Sequence, residues 1–82
     1  MDIKQVEDKI LKEFGKKIKV LVYLNGNYYF GLNDDPELDF TMNVRYYDPS
    51  ESKFEVFNGM DDIPLFKELQ KMANEKNLVS SL

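Results

Sequence analysis

Apolar and polar residues alternate along this chain with two different periods, and each change of period marks an element. Ile3, Val6, Ile10 and Phe14 recur at i, i+3, i+7 and i+11, one stripe of a 3.6-residue helix over Asp2 to Phe14. Asp2 and Gln5 stand at capping-box spacing, and Gly15 suits the left-handed position just past a helix end. Lys16 and Lys17 complement the negative end of that helix.

From Lys17 the period falls to two. A first strand over Lys17 to Leu24 places Ile18, Val20, Val22 and Leu24 on one face, and Leu21 and Tyr23 with Lys17 and Lys19 on the other. Asn25-Gly26 supplies the two positive-φ residues of a type I′ turn, so a hairpin is expected. A two-residue loop pairs Leu24 with Asn27, Tyr23 with Tyr28, Val22 with Tyr29 and Leu21 with Phe30. The composition of Asn33 to Glu37 predicts a turn. A third strand, Leu38 to Tyr47, alternates Phe40, Met42, Val44 and Tyr46 against Asp39, Thr41, Asn43, Arg45 and Tyr47. After a turn at Asp48 to Glu51, a fourth strand from Lys53 to Phe57 is expected to turn Phe54 and Val56 inward and Phe57 outward. Asn58-Gly59 breaks the sheet. Asp61 or Asp62 then caps a second helix with Pro64 in its first turn and an apolar stripe of Ile63, Phe66, Leu69 and Ala73, widened by Leu65 and Met72. That helix is expected to stop near Asn77, and residues 78–82 to form a frayed tail.

These elements predict a single α+β domain over residues 1–82. The expected arrangement is a two-layer sandwich in the order α-β-β-β-β-α, a four-stranded antiparallel meander with both helices on one face. The core would then hold Ile18, Val20, Val22, Leu24, Tyr29, Phe40, Met42, Val44, Tyr46, Phe54 and Val56. Gly31 shares that face, where a missing side chain would admit a helix closely.

This layout leaves the second face of the sheet without a lid. Leu21, Tyr23, Tyr28, Phe30, Leu32, Arg45, Tyr47 and Phe57 would lie there, interspersed with Lys19, Asn43 and Lys53. An exposed apolar patch rich in Tyr, Phe and Arg has the composition of an interface core. The expectation is protein contact, as a homodimer about a two-fold axis or with a protein partner. Aromatics among cations could also stack the bases of single-stranded nucleic acid. Equally, cross-strand aromatic pairs stabilise a sheet without binding anything.

Composition narrows the chemistry. The 82 residues contain neither Cys nor His, which removes disulfides, thiolate sites, the commonest catalytic base and the commonest transition-metal ligand. Ser50, Ser52, Ser80 and Ser81 sit in a turn or the tail with no base to activate them, and no glycine-rich phosphate loop can be matched. The chain is expected to be neither an enzyme nor a cofactor protein. It shows no secretory or membrane segment, so the expected location is cytoplasmic. Ten of the eleven basic residues are Lys and Asn is plentiful, which points to an AT-rich bacterial or phage genome.

The net charge of −4 is uneven: residues 1–32 carry +2 and residues 33–62 carry −7. An acidic middle argues against duplex nucleic acid, which needs clustered cations. A meander gathers Asp34, Asp35 and Glu37 at the same end as Asp61 and Asp62. Carboxylates there could hold a divalent ion, although Asp is also favoured in turns and at helix starts, and Lys16 and Lys17 reach the same end. In size and sign of charge the chain resembles the phage inhibitors of uracil-DNA glycosylase, which implies a second possibility, an acidic mimic of nucleic acid that blocks a DNA-binding enzyme. The helix and strand order also resembles the double-stranded-RNA-binding domain. That family requires basic residues where this chain has Asp61 and Asp62, so the likeness is set aside. The function expected is that of a small interaction or regulatory module.

Overall fold

The computed structural model describes residues 2–35, 40 and 42–74. They form α1 (Ile3–Phe14), β1 (Ile18–Leu24), β2 (Asn27–Leu32), β3 (Asn43–Asp48), β4 (Lys53–Asn58), a 3-10 turn (Gly59–Asp61) and α2 (Ile63–Asn74). The four strands make one antiparallel sheet in the order β1-β2-β3-β4. The α+β class and the α-β-β-β-β-α order are those the residue pattern predicts. The expected frayed tail at 78–82 lies outside the described residues, as do Pro36 to Asp39, Thr41 and the helix stop expected near Asn77.

Local chemistry explains the element boundaries. The Asp2 side chain accepts from the Gln5 N–H, and the Gln5 side chain accepts from the Asp2 N–H, each at 2.9 Å, which satisfies two of the unpaired donors of α1. Gly15 ends the helix at φ +69° and donates its N–H to the Leu11 carbonyl. Asn25 and Gly26 both take positive φ, and the β1–β2 register from Leu21 to Leu24 is the one their turn dictates. Asp62 caps α2 by accepting from the Leu65 N–H at 3.2 Å.

The helices, however, lie on opposite faces of the sheet. Val6 and Ile10 of α1 are buried with Ile18, Leu21, Phe30 and Leu32, flanked by Ile3, Phe14, Tyr28 and Phe54. Leu69 of α2 is buried on the other side with Val20, Val22, Tyr29, Phe40 and Val44. The expected two-layer sandwich is thus corrected to a sheet held between two single helices. The physical reason is that the β1–β2 hairpin is apolar on both faces. One helix on each side removes both faces from water, at about 25 cal/mol per Å² of apolar surface. Two helices on one side would leave Leu21 and Phe30 wet.

Three further corrections concern which way side chains point. The β1–β2 ladder shifts register between Ile18 and Val20, so Ile18 joins the α1 side while Val20 and Val22 remain on the α2 side. Asp48 pairs with Lys53 across the intervening residues 49–52, so even-numbered residues of one strand face odd-numbered ones of the other. Phe54 and Val56 therefore stand with Tyr47 and Arg45, and Phe57 stands with Val44 on the α2 face, the reverse of the expectation. As a result Val56, expected in the core, is 59% exposed; Met42, also expected there, precedes β3 and is 43% exposed. Gly31, finally, faces Val20, Asp35 and Lys19 rather than a helix. The close approach of α2 occurs at buried Gly59, where an added Cβ would lie 2.7 Å from Phe66.

Candidate functional site

The residues expected to form an open aromatic face are divided by this arrangement. Leu21, Phe30, Leu32 and Tyr47 are buried on the α1 side of the sheet. Phe14 of α1 meets Phe30 and Phe54 edge-on, with ring centroids 5.6 and 5.3 Å apart. Lys9 lies over the Tyr47 ring, 5.8 Å from its centroid. Tyr28 is half-buried at the margin, and Tyr23, packed on it at 4.7 Å, is half exposed. Arg45 reaches the Asp35 carboxylate at 3.3 Å and stacks near Phe14. Phe57 belongs to the other face. Among the described residues α1 covers Leu21, Phe30 and Leu32, and what stays open on this side is a groove of about 530 Å³ bordered by Lys9, Tyr47, Lys53 and Phe54.

The acidic end is equally divided. Lys16 donates to Asp34, and that hydrogen bond, opposed in part by desolvation, holds the Asp34 carboxyl below the usual range. Asp35 accepts from the Leu32 N–H at 2.8 Å and from Arg45, while its carbonyl accepts from Lys19 at 2.8 Å. Asp62 spends one oxygen on the α2 cap. Glu37 lies outside the described residues. Among the described residues no three acids converge as metal ligands. A row of free carboxylates, as a phosphate mimic needs, is not formed by Asp34 and Asp35, since local cations hold both.

The α2 face is only partly closed. α2 packs chiefly over β1 and the 3-10 turn, and beside it Tyr46 of β3 and Phe57 of β4 stay half-buried. Tyr29 of β2, Tyr46 of β3 and Phe57 of β4 adjoin one another there, with centroids 5.2, 5.9 and 6.2 Å apart. With Asp61, Asp62 and Leu65 they line a groove of about 230 Å³. Tyr29 is buried, whereas Tyr46 and Phe57 are half-buried. The Tyr46 hydroxyl donates to Glu55 at 3.1 Å. Burial first, and then that acceptor, push the phenol above the usual tyrosine range. The groove was hidden in the sequence by the inverted facing of the fourth strand. The even count of residues between Asp48 and Lys53 is the signal that could have found it.

The sheet also has two edge strands, β1 and β4. β4 has β3 on one side and no described strand on the other. Val56 is its most exposed apolar side chain, and Lys53 and Glu55 form an exposed pair at 3.4 Å. Among the described residues no helix is long and apolar enough to cross a membrane. Comparison with family models, with curated proteins and with solved structures finds no match to this chain.

Proposed function

We propose that the protein is a small interaction module that works by protein contact rather than catalysis, and that it self-associates along β4. The carrying observation is the edge itself, a six-residue strand with no described strand along its outer side and Val56 59% exposed upon it. An unpaired strand edge presents a row of backbone donors and acceptors that another strand can satisfy. The side chains favour a second copy as that strand. Antiparallel pairing about a two-fold axis centred on Phe54 sets Lys53 of each chain opposite Glu55 of the other, so one surface complements itself. Buried Leu21, Phe30 and Tyr47 keep the sheet rigid enough to present the edge. The absence of His and Cys from the sequence agrees with a role in contact.

Sedimentation at increasing protein concentration tests this. The expected result is a mass that rises toward that of a dimer. Glu55→Lys, which sets like charges opposite each other, shifts the equilibrium to single chains, and adding Lys53→Glu to it restores the dimer. A single chain at every concentration, or a dimer indifferent to Glu55→Lys, overturns the proposal.

A further inference from the structure

We infer that the groove on the α2 face is a receptor for a cationic side chain, an arginine carried by a basic peptide segment. Three aromatic rings from three adjacent strands converge on it, and their planes differ by 37°, 84° and 62° pairwise. They thus pack on one another, tilted or edge-on, and together border the groove, with Tyr46 and Phe57 half-buried. A guanidinium lying against such rings is attracted by their negative faces. The two tyrosine hydroxyls are held by polar neighbours: Tyr46 donates to Glu55, and Tyr29 accepts from Asn27 at 3.5 Å. The rings are therefore placed before any ligand arrives, which limits the entropy lost on binding.

The rim supplies the charge. Asp61 and Asp62 line the groove, both are exposed, and neither forms an ion pair with a described cation. This separates them from Asp34 and Asp35, which are already neutralised by Lys16 and Arg45. Aromatic rings beside two carboxylates that no described cation pairs, one of them (Asp62) also capping α2, select a ligand with an apolar stem and a positive head, as arginine has. The size agrees. At about 230 Å³ the groove is smaller than the roughly 300–1,000 Å³ that houses a drug-sized ligand, and suits one side chain inserted from a longer segment. The groove lies on the face of the sheet and does not require the β4 edge to be paired, so this inference stands apart from self-association.

Titration with a capped glycine-arginine-glycine tripeptide, followed by the ring resonances of Tyr29, Tyr46 and Phe57, is the test. The matching citrulline tripeptide keeps the shape and lacks the charge. The arginine peptide is expected to move the three rings saturably and the citrulline peptide to leave them unmoved. Phe57→Leu weakens binding about fivefold through loss of one ring face. Asp61→Asn weakens it about twofold, and added salt acts in the same direction. Unchanged resonances of Phe14 and Phe30 on the opposite face show that each variant keeps its fold. No ring movement with the arginine peptide, equal movement with citrulline, or full binding by Phe57→Leu overturns the inference. Sedimentation of the same samples separates the two proposals, since ring movement in a protein that stays a single chain refutes the dimer alone.

Discussion

Both faces of the β1–β2 hairpin are closed, and the two faces of the sheet differ only farther along, at β3 and β4. On one face Leu21 and Phe30 pack against Val6 and Ile10 of α1, with Phe14 and Phe54 filling the margin. On the other, Val20, Val22 and Phe40 are buried with Leu69 of α2, yet Tyr46 and Phe57 stay half-buried beside an open groove. Similar strand residues thus serve two ends. Phe30 and Tyr47 under α1 and Tyr29 near α2 are core. Phe54 on the first face, and Tyr46 and Phe57 on the second, are half-buried and border open grooves. The position of a helix, and not the aromatic content of a strand, decides which face is available for contact.

Truncating one aromatic on each face should give the largest contrast. Phe30→Ala removes a side chain that is 1% exposed, and is expected to destabilise by about 3–5 kcal/mol, enough to unfold much of so small a domain. Phe57→Ala, on the open face, should cost well under half of that, since a half-buried ring surrenders less apolar surface. Denaturant midpoints for the two variants measure the contrast directly. Equal losses would mean that the faces are equally closed.

Next in size is the seat of α2. An added Cβ at Gly59 would lie 2.7 Å from the Phe66 ring and 2.9 Å from the Met42 sulfur. Gly59→Ala should therefore push α2 outward and cost about 1–3 kcal/mol. Ring shifts should appear at Tyr29 and Phe57 and be absent at Phe14. A response on both faces would mean that the two cores are less independent than their packing indicates.

The smallest effect is a titration. The folded-state pKa of Tyr46 is raised, so its contribution to stability is fully present below the ordinary tyrosine range and is lost as pH rises through the folded value. Tyr46→Phe should cost about 1 kcal/mol near neutral pH through the lost bond to Glu55, and should reduce the decline of stability at alkaline pH. Thermal unfolding across that range checks both. An unchanged alkaline decline would assign it to other groups.

How much of this was legible in the residues follows from the range of the interactions concerned. The Asp2–Gln5 capping box, the Gly15 stop and the Asn25-Gly26 turn are all settled within a few residues, and the pattern predicts each of them. The direction of Phe54 and Phe57 depends on the number of residues between Asp48 and Lys53, which is present in the sequence and runs against the inward facing expected of Phe54 and Val56. Ile18 was reversed by a register shift that no turn residue announces. The side on which each helix lies is a matter of tertiary packing, and both faces of the hairpin offered an equally apolar seat. The proposed arginine groove depends on that residue count as well. Its three rings lie on three strands, and only the true register brings Tyr46 and Phe57 to one side.

The most direct test of the account is the set of proton–proton contacts made by the Phe14 ring in solution. The packing described predicts cross-peaks from Phe14 to Phe30 and Phe54, whose ring centroids lie within 5.6 Å of it, and none to Tyr29 or Tyr46. Cross-peaks from Phe14 to Val22, Tyr29 or Tyr46 would place α1 beside α2 on a single face, and would contradict the arrangement on which both proposals are built.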